Sequence, residues 1–494
     1  MDAHPPSVRR PAFLGRELKI SPAAMWAIFW IGAGSFVPHI FLQYVGEEPF
    51  YPIVAQEMWA KKAFIVTTLY GQNFGRPGIY SWLILVLTGI LGGQNILIAA
   101  RLITICSTLA IGLTLAWLVR KLFNDRLLAA FAAAVFLSGD VLVYRGWLAY
   151  ADPLFSLCTF GAMACLWVAT EERRRDLLLL AALGLMCSFL AKAMTGYVFY
   201  GGMGLVLLAL HDHRKFLVAP SSIAIHAGAL AFPVVWNYGL AENSVFAWML
   251  HDILYQTKNE NAPSITAYLT LFFVYPLRTF WYLLPVSAVT LFCLLSRSFA
   301  AAAALRRNPL LIALSALALD LLPYWLFPGS GTRYLMPLYP LFALVMAFIV
   351  LNSGRLMTEL CAKALIVTVC VGYVAALVGF PLYEHYIRGS YDHAAQAIVT
   401  RAGGFPIFAD DFTSIGLSIV ADLNARRAPQ PPITTPPRDF TSGFVLSAKP
   451  DAAVGQVDMT LGLGRDADGK RTRYLLCRGE ACAAPGRPSG RASF

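Results

Sequence analysis

Two adjacent carboxylates, Glu47 and Glu48, follow the first long apolar stretch, in Gln43-Tyr44-Val45-Gly46-Glu47-Glu48-Pro49-Phe50-Tyr51. A carboxylate can act as general base on a hydroxyl, and acidic groups this close to hydrocarbon mark sites or pathways. The same interval holds Arg76-Pro77-Gly78-Ile79-Tyr80, and a fixed guanidinium grips a phosphate bidentately. A base and a phosphate clamp in one loop suit transfer chemistry on a phosphorylated group. Three more residues extend the set: Asp152 in Ala151-Asp152-Pro153-Leu154, Lys192 in Leu190-Ala191-Lys192, and Arg333-Tyr334 in Gly331-Thr332-Arg333-Tyr334-Leu335-Met336-Pro337. Each has a plainer reading as well. Glu47 and Glu48 suit the N-terminus of a helix over 49–61. Asp152 precedes a proline at a helix start. Lys192 can snorkel to an interface, and Arg333 can serve as a topology signal. The chemical reading requires that all of them reach one place.

That requirement turns on the elements that carry them. The chain has 494 residues, 58% hydrophobic and 14% charged, with a mean hydropathy of +0.61. A soluble chain of this length cannot bury so much apolar surface, so the composition specifies a polytopic helical membrane protein. Short alternating segments, as in a membrane barrel, are absent. The net charge of +11 is split into small clusters between apolar runs. That is the pattern of orientation signals and argues against a nucleic-acid face.

Apolar runs predict about eleven spanning helices, near 24–43, 98–119, 127–144, 154–170, 177–193, 195–210, 216–236, 280–296, 309–327, 335–351 and 364–380. The stretch Arg9, Arg10, Arg16, Lys19 before Ala24–Leu42 reads as the flank of a retained first helix. Arg120-Lys121-Arg126, Arg173-Arg174-Arg175, Arg214-Lys215, Arg297-Arg306-Arg307 and Arg355-Lys363 then share the cytoplasmic side with the N-terminus. The apolar run Ile79–Gly92 is short and must not cross, or every later basic cluster would flip; it reads as juxtamembrane or re-entrant. Glu47, Glu48, Arg76, Arg145, Asp152, Lys192, Lys258, Arg278 and Arg333 all fall on the outer face. So do loops at about 44–97, 145–153 and 237–279. Residues 1–383 form the membrane domain. Residues 384–494 form a small external α/β domain, with a helix over Tyr391–Arg401, a strand over Phe405–Ala409, a helix over Thr413–Asn424 and a disordered end. Seven cysteines lie in apolar runs as small core residues. Cys477 and Cys482 suit a disulfide in an external tail. His39 and His251-Asp252 are weak signals, and no spacing supports a zinc site.

The ordered set of motifs resembles the GT-C membrane glycosyltransferases, the lipid A aminoarabinose transferases and protein O-mannosyltransferases above all. An acidic pair opens the first external loop, followed by basic-Pro at Arg76-Pro77. Asp152 precedes Pro153, Lys192 ends a later helix, and Arg333-Tyr334-Leu335-Met336-Pro337-Leu338-Tyr339-Pro340 matches a basic-Tyr-x-x-Pro-x-x-Pro stretch. Two departures stand out. Glu47 replaces the usual Asp, and Gly75 stands where aminoarabinose transferases carry a metal-binding Glu, so no metal or other cofactor is carried over.

The resemblance implies an inverting transfer from a polyprenyl-phosphate-linked sugar, on the periplasmic face of a bacterial inner membrane, to a lipid A-like, glycan or protein acceptor. It implies catalytic roles for Glu47, Asp152 and Glu48, with Glu47 or Asp152 as base. Arg76, Lys192, Arg333 and Tyr334 are implied at the donor phosphate. The alternative is a transporter or lipid flippase, for which Asp320, inside an apolar run, is the supporting residue.

Overall fold

In the computed structural model, the described residues are 20–242, 245–250, 265–296, 308–327, 331–464, 471–483 and 491–493. The membrane part is helical throughout: α1 (Pro22–Gly34), α2 (Phe50–Lys61), α3 (Ile79–Leu91), α4 (Ile96–Phe123), α5 (Arg126–Phe136), α6 (Asp152–Glu172), α7 (Arg175–Lys192), α8 (Thr195–Leu210), α9 (Pro220–Gly239), α10 (Ile265–Tyr282), α11 (Val286–Leu295), α12 (Asn308–Leu326), α13 (Tyr339–Asn352) and α14 (Arg355–Val374). The 3-10 run Thr332–Leu338 leads into α13.

Six segments among the described residues are long and apolar enough to cross a bilayer, or seven if α10 and α11 count as one bent span. By length and composition alone this is fewer than the eleven spans expected from the apolar runs. α5 and α8 are short, and α7 carries Arg175, Asp176 and Lys192 within its eighteen residues. The expected span at 280–296 takes in α11 and only the last residues of α10; the rest of α10 lies in the expected 237–279 loop, and the two helices are bent by 109°. The break falls at Pro285, which cannot donate to a continuing helical ladder. α3 is a short apolar helix, as the charge pattern requires of it.

The core of the bundle is built on α5. Ala129, Ala130, Ala132, Ala133 and Ala134 are all buried, and side chains this small let α1, α4 and α13 approach closely. At one end of the bundle Lys121 pairs with Glu172 at 2.8 Å and His211 meets Glu171 at 2.9 Å. The C-termini of α4, α6 and α8 therefore lie together, with the basic start of α7. The N-terminus of α6 and the C-terminus of α7 lie at the other end, where Asp152 meets Lys192.

Beyond α14 the chain stays helical to Arg388, then enters α15 (Tyr391–Ala402) and α16 (Ser414–Arg427). Ser390 and Thr413 cap these helices through their hydroxyls, each accepting a backbone N–H, as N-cap chemistry requires. A five-stranded sheet follows: β3 (Ile407–Ala409), β4 (Gly443–Ser447), β5 (Gln456–Gly462), β6 (Arg473–Arg478) and β7 (Arg491–Ser493), in spatial order β3-β4-β6-β5-β7. β3 runs parallel to β4, β6 is antiparallel to both β4 and β5, and β7 is parallel to β5. β7 falls inside the end expected to be disordered, of which residues 484–490 and 494 lie outside the described residues. Cys477 and Cys482 are disulfide-bonded. The apolar core of this unit is continuous with Tyr44, Ile53, Val54, Met58, Leu69 and Tyr70 of the first loop.

Candidate active site

The first loop is anchored before it reaches the cavity. Arg101, on α4, is fully buried. Its guanidinium donates to both carboxylate oxygens of Glu48, at 2.9 and 2.6 Å. It also donates to the carbonyls of His39, Ile40, Leu42 and Gln43. Trp147 faces the guanidinium at 5.5 Å. Glu48 in turn accepts the N–H groups of Val45 and Ala149, each at 2.7 Å. One buried ion pair thus ties α4, the opening of the first loop and the second loop together. Glu48 has no exposed surface and no place in the cavity. The structure thus does not bring Glu48 together with the other expected site residues: adjacent residues of a turn point to opposite sides, and Glu48 is the inward one.

Glu47 is the outward one. Its N–H donates to Tyr150 Oη at 3.0 Å. Gly46 makes this possible: its φ is +61°, and a Cβ there would lie 2.6 Å from the Tyr150 hydroxyl. The Glu47 carboxylate is about half exposed and accepts from Arg333 at 3.0 Å. Asp152 begins α6 and pairs with Lys192 at the end of α7. The Lys192 ammonium lies 4.1 Å above the Tyr334 ring. Arg76 sits between two aromatic faces, 4.9 Å from Phe74 and 5.1 Å from Trp248. Burial pushes the Tyr51 phenol above its ordinary pKa while Arg76 pulls it back, so its hydroxyl stays protonated beside the guanidinium.

These side chains line one open cavity. It holds Glu47, Arg76, Asp152, Lys192, Arg333 and Tyr334, gathered from the first loop, α6, α7 and the 3-10 run before α13. Its charges are not balanced. Each carboxylate has its own cation, whereas Arg76 has no carboxylate partner among the described residues. A stacked, unneutralised guanidinium in a half-enclosed site is a ready anion receptor.

The other residues expected on the outer face go elsewhere. Arg145 pairs with Asp140, Arg278 is exposed on α10, and Lys258 and His251-Asp252 lie outside the described residues. His39 is stacked on Trp147 at 4.1 Å and buried. Asp320 is buried on α12 against Gly202 of α8. Among the described residues no three His, Cys, Asp or Glu side chains converge. Sequence reasoning missed Arg101, whose signal was an arginine one turn inside an apolar helix. Tyr150 and Trp248 were missed as well: one orients Glu47 and the other covers Arg76.

No family model matches the chain. It is 24% identical over 400 residues to the undecaprenyl phosphate-alpha-4-amino-4-deoxy-L-arabinose arabinosyl transferase of Yersinia enterocolitica, covering 74% of this chain and 69% of that protein. Among solved structures it is similar to ArnT from Cupriavidus metallidurans, in the apo state and bound to undecaprenyl phosphate. Both give a TM-score of 0.62 over 94% of this chain, at 15% and 14% identity, covering 100% and 99% of those chains. The oligosaccharyltransferase of Archaeoglobus fulgidus, in complex with Zn and sulfate, gives a TM-score of 0.53 at 12% identity, over 80% of this chain and 61% of that one. The resemblance carried by scattered motifs thus extends to the fold of nearly the whole chain.

Proposed function

We propose that the chain is a GT-C-type membrane glycosyltransferase. It moves a sugar from a polyprenyl-phosphate donor to a lipid A-like or other envelope acceptor, on the periplasmic side of the inner membrane. The observation that carries this reading is the uncompensated Arg76, held between Phe74 and Trp248 beside two carboxylate–cation pairs. The Yersinia relative's name and the undecaprenyl phosphate bound to the Cupriavidus protein support the same donor class.

The donor phosphate binds Arg76, with Lys192, Arg333 and the Tyr334 hydroxyl around it. Its arrival draws Lys192 and Arg333 away from Asp152 and Glu47. An acceptor oxygen attacks the anomeric carbon from the face opposite the phosphate, so the configuration inverts. The bond from the anomeric carbon to the phosphate oxygen breaks, and polyprenyl phosphate leaves with the electron pair. Cations already in place stabilise the charge that grows on that oxygen. The freed Asp152 or Glu47 takes the proton when the acceptor is a hydroxyl. An anionic acceptor phosphate has no proton to lose, and the acids then hold sugar hydroxyls. Neither route draws on a metal.

The proposed topology keeps eleven crossings: the six long segments, the bent α10–α11 pair, and α5, α7, α8 and α9. The N-terminus is then cytoplasmic, and the cavity and the C-terminal unit are periplasmic. A transporter or flippase reading rests on the buried Asp320 alone. The test is sugar transfer in detergent, where no compartments exist, from undecaprenyl-phosphate-linked sugars to purified envelope lipids. Transfer that Glu47→Ala and Asp152→Ala each abolish supports the reading. Transfer retained in full by both variants removes the catalytic assignment, and intact protein silent with every donor removes the enzyme.

A further inference from the structure

We infer that the C-terminal unit completes the donor site from a distance, with Tyr70 as a positioning residue for Arg76; this rests on the phosphate role proposed for Arg76. The hairpin that precedes Arg76 is minimal. β1 (Thr68–Leu69) and β2 (Gln72–Asn73) contribute two residues each. An isolated pair of this size has no stability of its own. Its shape is held from outside.

Tyr70, at its tip, has φ +54°, a left-handed conformation that non-glycine residues keep only where the surroundings fix them. The surroundings are two loops of the C-terminal unit. The Tyr70 hydroxyl donates to the Asp411 carbonyl at 3.1 Å. Its ring meets Phe412 at 4.8 Å. Its carbonyl accepts the Thr435 N–H at 3.0 Å. Asp411 is itself fixed: its carboxylate pairs with Arg473 at 2.6 Å and accepts the Thr413 N–H at 2.8 Å. Tyr70 is fully buried in this contact.

From there the restraint runs directly to the cavity. Phe74 N–H donates to the Thr67 carbonyl at 2.8 Å, so the two sides of the hairpin stay in register. The Thr67 hydroxyl donates to the carbonyl of Arg76 at 2.7 Å. Gly75 N–H donates to the Asn73 side chain at 2.8 Å. Phe74, which stacks on the guanidinium, sits on the same short path. Glu57 of α2 braces the hairpin from the other side, accepting the Gly71 N–H and the Thr68 hydroxyl; the Tyr70 hydroxyl, ring and carbonyl are held by residues 411, 412 and 435. The C-terminal unit is therefore a wall that sets where the phosphate-binding cation stands.

The experiment uses the full chain and measures binding of undecaprenyl phosphate by native mass spectrometry, beside KM and kcat for transfer. Tyr70→Ala is expected to weaken undecaprenyl phosphate binding about tenfold, the scale of one charge-assisted hydrogen bond. The donor KM rises in step, while kcat stays within about twofold. Tyr70→Phe keeps the ring contact and stays within about threefold of wild type. In an Arg76→Ala background, Tyr70→Ala adds less than about twofold, because the two act as one. Wild-type affinity in Tyr70→Ala, or a second full tenfold loss on top of Arg76→Ala, overturns the proposal. Should Tyr70→Ala fail to fold, Thr67→Val cuts the link nearer Arg76. A several-fold loss of binding supports the proposal, and unchanged binding overturns it. Intact protein that binds no undecaprenyl phosphate removes the functional reading and this inference together. Binding by the intact protein that is insensitive to these variants removes the inference alone.

Discussion

Replacing Arg101 by Met removes a guanidinium that is wholly buried and engages Glu48 and four backbone carbonyls. Met matches its length and its apolar stem, so the packing loss is small. What remains is a carboxylate stranded with two N–H donors, from Val45 and Ala149, and carbonyls without partners. Breaking a buried pair from one side costs about 3–5 kcal/mol. Spread over a cooperative membrane unit, this is a fall in melting temperature of roughly 5–10 °C. Glu48→Gln costs less, about 1–3 kcal/mol, because the amide oxygen still accepts from Ala149 while its NH₂ faces the guanidinium. Both variants should lose transfer in proportion to loosening of the first loop. Differential scanning fluorimetry in detergent, run beside the transfer assay, separates the cases. A melt within about 1 °C of wild type for Arg101→Met refutes the anchoring role. A Glu48→Gln enzyme that melts normally and transfers nothing would return Glu48 to the chemistry.

Three further outcomes are expected. Arg76→Ala should weaken polyprenyl phosphate binding about 10- to 100-fold by native mass spectrometry, with Arg76→Lys recovering part of it, since an ammonium keeps the charge but not the stacked fork. Gly46→Ala should cost about 1–3 kcal/mol and cut transfer, because φ +61° and the Tyr150 hydroxyl leave no room for a Cβ; an unaltered melt and rate would contradict this. Asp422 on α16 is pushed up to about 7 by burial and by Asp392, against the opposing pull of Arg426 and Arg388. A carboxyl whose folded pKa exceeds its unfolded one, about 3.9, favours the folded state most below pH 4 and loses that contribution as pH rises to about 7. Asp422→Asn should therefore raise the melting temperature relative to wild type at pH 8 and change it little at pH 4; equal shifts at both would refute the assignment.

The lipid-facing pattern made much of this molecule readable. Short length and charge bias together kept Ile79–Gly92 out of the expected spans, and charge bias assigned Glu47, Arg76, Asp152, Lys192 and Arg333 to one side. The structure gathers those five in one cavity. Tertiary choices were not readable. Nothing in Glu47-Glu48 says which acid turns inward, because the answer lies on α4, at Arg101. Hydropathy could not find the break before Val286, since both arms are apolar and Pro285 divides them. Nor could it tell the stacking role of Trp248 from that of any interfacial tryptophan. The expected helices at Tyr391–Arg401 and Thr413–Asn424 match α15 and α16 within a few residues, because cap and periodicity lie close together there. Strand β7 was missed, as three residues carry no period.

The core shared by the first loop and the sheet unit limits how this protein can be recombined. A graft that exchanges the tail at residue 384 would cut through one hydrophobic interior, splitting Ile53, Met58, Leu69 and Tyr70 from Ile398, Leu417 and Leu475. Segments distant in the gene must then be inherited as a pair. Chimeras made to swap acceptor preference between relatives should move both together or neither.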